Sequence, residues 1–378
     1  MNTPSLNEAI DLTLAQLQEG KPQMADSASR SEVSRYTDPA RFEREYEAIF
    51  RRLPNYAGHM GELPEPGSFV SRELAGVPVL IVRDDDGEIR AFVNACRHRG
   101  TQLVSDHAGC SKRFVCPYHA WSYNRDGSLA NIPADFGFPG LDHAAHGLVQ
   151  LPLWQRSGLL WVLPCGNAEF DFNAFWAPVA DDIEALQLDD AIVYQPRSRD
   201  WQANWKLVGE GGLESYHFKK THAKTIAPYF FGNQSVYDSL GLHSRLLLPR
   251  SNFPELSETP REKRVLAGYA HVVYTLMPNV SLLVQEDHTA LIISSPKAVD
   301  QTTLTIAMLI DRKTFESKPE SHWALNSRIT NGTLSEDFEI GQSIQKGISS
   351  GHLDHLNFGR FEHGLAAFNR AIDSLLGA

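Results

Sequence analysis

Cys96-Arg97-His98-Arg99-Gly100 and Cys116-Pro117-Tyr118-His119-Ala120-Trp121 are the two stretches of this sequence that decide its fold. Each stretch supplies one cysteine and one histidine, and 17 residues separate His98 from Cys116. Thiolate and imidazole groups are ligands that soft and borderline metals prefer. The spacing therefore predicts two facing hairpin loops that clamp one metal centre, with a cysteine and a histidine from each loop.

Two kinds of centre accept this set of ligands. A [2Fe–2S] centre of the Rieske type binds one iron through two thiolates and the other through two imidazoles. A structural zinc site can also use two cysteines and two histidines. Common zinc fingers pair cysteine with cysteine and histidine with histidine, whereas each pair here is mixed. The pattern favours the iron–sulfur centre, and a zinc-stapled binding module remains the alternative.

Composition limits the class of protein. The 378 residues are 42% hydrophobic, and 35 basic against 46 acidic residues give a net charge of −11. Phosphate binding needs clustered positive charge, so we expect no nucleic-acid partner. Four cysteines, two of them assigned as ligands, indicate a reducing compartment. The sequence has no signal-peptide pattern and no run of ~20 apolar residues, so we predict a cytoplasmic protein without a membrane partner.

The order of predicted elements indicates an α+β fold in three segments. Residues 1–53 predict a helical segment that packs on the C-terminal domain, residues 54–165 a small antiparallel β domain, and residues 166–378 a larger domain of sheet and helices. Asp85-Asp86-Gly87 and Asp126-Gly127 predict hairpin turns. Strands are predicted at 68–74, 77–83, 90–94, 114–116, 121–123, 158–163, 270–277, 281–286, 290–294 and 303–310. Helical segments are predicted at 5–19, 39–50 and 170–188.

A second histidine pair, Glu214-x-x-His217-x4-His222, lies about 100 residues after the first motif. Two histidines and one carboxylate on one face of an iron form the facial triad of non-haem Fe(II) oxygenases. On an ideal helix, positions five apart lie about 140° from each other. His217 and His222 can therefore converge on one metal only if the helix ends or bulges between them.

Both loops, together with this second pair, resemble the Rieske oxygenases, the α subunits of aromatic-ring-hydroxylating oxygenases, over most of the chain. The resemblance implies a Rieske domain at 54–165 and a helix-grip catalytic domain at 166–378. It also implies two cofactors, a [2Fe–2S] cluster and a mononuclear Fe(II). The implied cluster ligands are Cys96, His98, Cys116 and His119, and the implied iron ligands are His217, His222 and Asp337.

The carboxylate ligand is chosen from Ser335-Glu336-Asp337-Phe338-Glu339-Ile340-Gly341-Gln342, which resembles the late helix of the family. Asp337 is the first choice and Glu336 the fallback, while a helix acid without metal is the plainer reading. Glu214 is one helical turn before His217, so a hydrogen bond between them is expected. The resemblance implies that Glu214 also bridges to His119 of a neighbouring subunit. Gly211 stands where many members have asparagine.

The resemblance implies a terminal oxygenase that activates O₂ with electrons from an NAD(P)H-dependent reductase, with or without a ferredoxin. A head-to-tail homotrimer is the expected assembly, because it would bring each cluster to the next subunit's iron. The chain has no glycine-rich dinucleotide fingerprint of its own. A non-enzymatic Rieske electron carrier is the rival, and it would leave His217, His222 and Asp337 without a role.

The substrate is the least determined feature of the sequence. The first expectation is an aromatic acid, hydroxylated or demethylated within aromatic catabolism, and the alternatives are a quaternary or methylated amine and a ring that is cis-dihydroxylated. Arg245 could pair with a substrate carboxylate, although a solvated strand residue is the preferred reading. Candidates for the pocket wall are Tyr274, Met277, Asn279, Leu283 and Gln285.

Overall fold

The structure, a computed structural model, describes residues 3–166 and 169–377 and divides into two compact units. One unit combines the N-terminal residues up to Ile49 with those from Asp171 onward, and the other is Phe50–Phe170. Helices and antiparallel sheets are both present, so the predicted α+β class is confirmed. The domain boundaries that we placed after residues 53 and 165 stay predictions.

The N-terminal helix α1, Pro4–Glu19, has clear sequence signals at both ends. The Thr3 hydroxyl accepts a hydrogen bond from Leu6 N, Pro4 occupies the first turn, and Gly20 ends the helix with φ 67°. The elements that follow are β1 Ser29–Glu32, α2 Ser34–Thr37, α3 Pro39–Glu45 and a π-helical turn, Tyr46–Phe50. Strand β1 lies within residues 1–53, for which the sequence predicted a helical segment and no strand.

The Phe50–Phe170 unit is built from short antiparallel strands. They are β2 Asn55–His59, β3 Ser68–Leu74, β4 Val77–Arg83, β5 Ile89–Val93, β6 Ala108–Cys110, β7 Phe114–Val115, β8 Ser122–Tyr123, β9 Leu129–Asn131, β10 Gln150–Leu151, β11 Leu153–Arg156 and β12 Leu159–Val162. The sheets have the strand orders β10-β5-β4-β3-β6, β11-β12-β2 and β7-β8-β9.

Aspartate–glycine turns set the register of two hairpins in this unit. Between β4 and β5, Asp84 accepts hydrogen bonds from the backbone of Asp86 and Glu88, and Gly87 has φ 84°. Gly127 has the same φ between β8 and β9. A positive φ is strained for residues with a Cβ, so glycine permits these tight turns. The cysteine–histidine loops follow β5 and β7.

The other unit contains a seven-stranded antiparallel sheet. Its strands are β13 Ala191–Trp201, β14 Val236–Leu240, β15 His243–Pro249, β16 Ala270–Leu276, β17 Val280–Val284, β18 Thr289–Ala298 and β19 Gln301–Asp311, in the order β13-β19-β18-β17-β16-β15-β14. Strand β20, His355–Phe358, pairs with β1. Because this partner is far away in the sequence, local sequence patterns did not predict a strand at β1.

Helices accompany this sheet, and the second histidine pair flanks one of them. They are α4 Phe172–Trp176, α5 Ala180–Glu184, α6 Trp205–Glu210, α7 Phe218–Thr221, α8 Arg312–Glu316, α9 Glu320–Ile348 and α10 His363–Leu375. Phe338 of α9 packs against Trp201 of β13, with ring centroids 5.3 Å apart, in a cluster that includes Leu304 and Ile306. None of the described helices is both long and apolar enough to cross a membrane.

A buried charge cluster, the N-terminal clamp, ties the start of α1 to this sheet. Asp182 accepts hydrogen bonds from Thr3 Oγ1 (2.6 Å), Ser5 Oγ (2.9 Å), Arg245 Nη1 (2.6 Å) and the Tyr274 hydroxyl (3.1 Å). Arg245 also donates to the Ser5 backbone carbonyl at 3.0 Å. Both interpretations of Arg245 from the sequence are wrong, because its side chain is neither solvated nor available to a ligand.

Candidate functional site

The two cysteine–histidine loops of the Phe50–Phe170 unit close in the same way. Cys96 N donates to Thr101 O, and Cys116 N donates to Trp121 O, both at 2.8 Å. Gly100, with φ 76°, makes the tight return in the first loop. Each loop is thus a tight turn closed by a backbone hydrogen bond.

The four candidate cluster ligands form two neighbouring pairs, one of cysteines and one of histidines. The thiols of Cys96 and Cys116 are both buried and lie in hydrogen-bond contact; burial, reinforced by Cys116, raises the pKa of the Cys96 thiol. The rings of His98 and His119 have centroids 4.7 Å apart. Two adjacent thiols beside two adjacent imidazoles fit a cluster in which one iron takes sulfur and the other nitrogen.

His98 and His119 differ in their exposure to solvent and in the aromatic rings that contact them. The indole of Trp121 stacks on His98 with centroids 5.0 Å apart and planes at 8°, and Phe138 meets the same ring edge-on at 5.6 Å. His119 is exposed, with the exposed ring of Tyr118 3.7 Å away. His98 is therefore half-buried beneath two aromatic rings of this unit, whereas His119 is exposed at its surface.

Tyr123 adds a hydrogen bond to the cysteine side. Its hydroxyl accepts from Arg97 N at 2.9 Å and lies 3.3 Å from Cys96 Sγ. Since the oxygen accepts from the amide, its proton is free to point at the sulfur. A donor to a sulfur ligand is a recognised means of tuning an iron–sulfur centre.

The second histidine pair flanks a very short helix. Helix α7 contains only Phe218–Thr221, with His217 as its N-cap and His222 as its C-cap. Because the helix begins after one histidine and ends before the other, the 140° separation of an ideal helix does not apply. The two imidazole centroids lie 5.2 Å apart.

Asp337 of α9 completes a possible metal-binding group with His217 and His222. One ligand atom from each of the three residues lies within 4.8 Å of the others. Asp337 Oδ1 is 2.9 Å from His222 Nε2 and 3.5 Å from His217 Nε2, yet it accepts no hydrogen bond among the described residues. Two imidazole nitrogens around one buried carboxylate oxygen fit Fe(II) in a facial triad.

Two glutamates form hydrogen bonds with the Nδ1 atoms of His217 and His222, the ring nitrogens that face away from Asp337. Glu214 Oε1 contacts His217 Nδ1, and Glu336 Oε2 accepts from His222 Nδ1 at 2.7 Å. Burial favours neutral His222, but Asp337 and then Glu336 raise the pKa of His222 above its ordinary value. With Nδ1 engaged on each ring, Nε2 is the nitrogen left to bind a metal. Glu336, the fallback ligand, thus lies behind His222 and outside the three-residue group.

Helix α6 leads into this site and is fixed by buried charges. Lys206 and Glu45 form an ion pair in which both side chains are fully buried, and Trp205 Nε1 donates to the same carboxylate at 3.0 Å. At the end of the helix, Tyr36 donates to Glu210 Oε1 at 2.6 Å. Burial raises the pKa of Glu210 to about 7. Sequence reasoning missed these residues, because their partners are more than 150 positions away.

A cavity of about 120 Å³ opens beside the three candidate iron ligands. Rings from Trp205, Phe218, Phe338 and Phe368 line it together with residues of β15–β18. Among the predicted wall residues, Met277, Asn279 and Leu283 are present. Tyr274 and Gln285 were also predicted to line the pocket, and this prediction is wrong for both. The Tyr274 hydroxyl donates to Asp182 in the N-terminal clamp, and the Gln285 amide contacts His288 and Thr330. His271 of β16, which the sequence did not single out, also lines the cavity.

Two protein families match the chain. Residues 54–140 match the Rieske [2Fe-2S] domain, and residues 188–378 match the ring hydroxylating alpha subunit (catalytic domain). The glycine betaine monooxygenase oxygenase subunit of Chromohalobacter salexigens is 34% identical over 191 residues, which cover 50% of this chain and 42% of that protein. The anthranilate 1,2-dioxygenase large subunit of Acinetobacter baylyi is 33% identical over 208 residues, covering 53% and 44%. The matched region spans less than half the length of these relatives.

Solved structures share the fold. The quaternary ammonium Rieske monooxygenase CntA in complex with L-carnitine superposes with a TM-score of 0.78 at 21% identity, covering 99% of both chains. Naphthalene 1,2-dioxygenase from Rhodococcus sp., bound to indole, has a TM-score of 0.75 at 19% identity, covering 100% of this chain and 99% of that one. At such identities the likeness concerns architecture alone.

Proposed function

The chain belongs to the ring-hydroxylating α-subunit family of Rieske oxygenases, and from that premise we propose that it is the terminal oxygenase of a multicomponent system. The convergence of His217, His222 and Asp337 on the wall of a cavity carries this proposal. An electron carrier would have no use for a second metal group beside a cavity.

Cys96, His98, Cys116 and His119 would hold the [2Fe–2S] cluster, and His217, His222 and Asp337 the Fe(II). When bound, the cluster relays single electrons and the Fe(II) activates O₂. The chain's own side chains orient these ligands. Glu214 and Glu336 accept from the Nδ1 atoms, which fixes the tautomer and direction of both imidazoles.

A small methylated or quaternary amine is the substrate class that we favour. Four aromatic rings line the cavity, and aromatic faces attract cations. The charged side chains lining it in the described part of the chain include the acids Glu214 and Asp337. An engineered cavity of roughly 150 Å³ holds benzene, so about 120 Å³ suits a molecule of similar size. The relative from C. salexigens, named for glycine betaine, agrees with this choice.

Ring hydroxylation of a small uncharged arene is the second candidate, because most of the cavity wall is apolar. An aromatic acid, our first expectation from the sequence, loses its proposed partner, since Arg245 is paired with Asp182 and Asp238 in the N-terminal clamp.

Electrons would come from a separate NAD(P)H-dependent reductase, with or without a ferredoxin. We further propose the head-to-tail homotrimer, with Glu214 hydrogen-bonded to His119 of the neighbouring copy. The exposure of His119 and Tyr118 supports such a contact. Glu214 itself is buried, with Oε2 accepting from Tyr216 N, so the contact requires His119 to reach it beside exposed Tyr216. Glu214→Gln would then leave both metals bound and slow electron transfer between them.

The test combines metal content with turnover. Purified protein should hold about three irons per chain, against about two for an electron carrier, and zinc without visible absorption would indicate the binding module. Oxygen uptake with a generic reductase is then compared for choline, toluene and benzoate. Uptake coupled to choline or toluene supports the proposal, while two irons and no coupled uptake would refute it.

A further inference from the structure

His271 is a histidine on the cavity wall that the metal group does not use. It lies on β16, and its side chain faces the cavity together with those of Val273 and Thr275. Successive residues of a strand alternate between faces, so positions 271, 273 and 275 form one row along the cavity. His271 lies at one end of this row, where its ring contacts the ring of Phe230, with the two centroids 4.8 Å apart.

The ring nitrogens of His271 have no hydrogen-bond partner among the residues that the structure describes. Other histidines in this part of the fold are engaged: His243 with Phe175 O, and His288 with Asp287. His271 is half-buried on the cavity wall, so a ring nitrogen without a protein partner there meets water or a ligand. An imidazole kept in this condition on a cavity wall therefore suggests a partner that arrives with a ligand.

The imidazole of His271 is neutral. Burial lowers its pKa to about 3, and the charges of Arg250 and His288 act in the same direction. A neutral imidazole offers one N–H donor and one nitrogen acceptor. It can accept from a hydroxyl or donate to a carbonyl, but it makes no hydrogen bond to a quaternary ammonium group or to a hydrocarbon.

We propose that His271 is a specificity-determining residue that hydrogen-bonds a hydroxyl or carbonyl oxygen on the substrate while the carbon to be oxidised faces His217, His222 and Asp337. This inference rests on the proposed function and narrows its substrate class. The substrate is a small molecule in which an apolar or cationic part meets the aromatic wall and a neutral oxygen substituent reaches His271. A site that hydrogen-bonds such an oxygen discriminates against analogues without it.

The experiment measures binding by calorimetry to the iron-loaded protein, with ligand pairs that differ in one oxygen. Choline is paired with propyltrimethylammonium, and phenol with toluene. We expect the parent to bind the oxygen-bearing member of at least one pair tenfold or more tightly. His271→Phe keeps a ring against Phe230 and should abolish that preference. His271→Gln keeps a donor and an acceptor and should restore part of it.

Leu283→Met is the matched control, since it changes the cavity wall without changing hydrogen bonding. It should move both members of a pair equally. His271→Phe should also leave the melting temperature unchanged or raise it, whereas a structural histidine would lower it. Equal binding of both members by the parent in every pair, or a preference that survives in His271→Phe, would overturn the inference. Iron content and oxygen uptake of the parent, measured separately, report on the proposed function itself.

Discussion

The indole of Trp121 lies parallel to the imidazole of His98, with centroids 5.0 Å apart and planes at 8°. The two residues come from different loops, so this stacking joins the cysteine–histidine hairpins to each other. Phe138 closes the arrangement from the side, because it meets both rings edge-on at 5.6 and 5.4 Å. One candidate ligand is thereby covered by two aromatic residues that bind no metal.

Phe138→Leu should make the iron–sulfur cluster more labile, because water and chelators would gain access to His98. Loss of visible absorption in excess chelator should be severalfold faster than in the parent. Phe136→Leu serves as the control, since Phe136 is 90% exposed and lies two residues away. Equal rates for the two variants would show that the aromatic cover does not protect the cluster.

Tyr123→Phe should lower the reduction potential of the cluster. Removal of a donor near Cys96 Sγ leaves more negative charge on the sulfur, which disfavours the added electron. A hydrogen bond contributes about 1 kcal/mol, equivalent to roughly 40 mV for one electron. Potentiometric titration followed by visible absorption measures the change. Tyr118→Phe changes an exposed tyrosine of the loop that precedes β8 and should shift the potential far less, and equal shifts would argue against the role of Tyr123.

Asp337→Ala should reduce the iron content from about three to about two per chain and abolish turnover, while the visible spectrum of the cluster stays unchanged. Glu336→Gln should keep the iron but weaken its binding by roughly 10- to 100-fold, because Glu336 supports His222 from behind. Iron analysis and chelator titration separate the two effects. If Glu336→Gln loses the iron and Asp337→Ala keeps it, the carboxylate ligand is assigned to the wrong residue.

Glu210 should make stability depend on pH. Its pKa is raised from 4.5 to about 7, so the neutral form stabilises the fold below pH 4.5 and this contribution is lost as the pH rises through about 7. A shift of that size corresponds to about 3 kcal/mol. Glu210→Gln retains an acceptor for Tyr36 and Asn369 and should be more stable than the parent at pH 8, with a smaller difference at pH 4.5.

Urea denaturation of the two proteins at both pH values measures this difference. Glu339→Gln on the exposed face of α9 removes the same charge without removing a buried carboxyl, and it should leave the profile unchanged. Parallel pH profiles of the parent and Glu210→Gln would mean that Glu210 is charged in the folded state throughout this range.

Local patterns in the sequence were sufficient for the parts of the molecule that neighbouring residues determine. The hairpin turn at Asp85-Asp86-Gly87 and the strands at 68–74 and 77–83 follow from turn chemistry and alternation. The family resemblance that the cysteine–histidine loops carried is also confirmed. The metal-ligand assignments stay predictions, although the structure brings His217, His222 and Asp337 together.

The failures concern contacts between distant segments. Alternation along β16 predicts two faces, but it does not tell which face meets the helices, and Tyr274 was therefore placed on the wrong side. Arg245 finds Ser5 and Asp182 only after the sheet and α1 assemble. For Glu210, the burial that raises its pKa depends on Tyr36 and Asn369, more than 150 positions away on either side.

The N-terminal clamp has a consequence for how the chain is made. Ser5 and Arg245 are 240 residues apart in sequence, and a ribosome adds roughly 5–20 residues per second. Helix α1 would therefore leave the ribosome roughly 12–48 s before the arginine that anchors it is synthesised. During that interval the apolar face of α1, with Leu6 and Ile10, lacks strand β14, which it contacts in the folded protein. We expect the nascent chain to need a chaperone at this stage, and a fusion at its N-terminus to slow folding more than a fusion at its C-terminus.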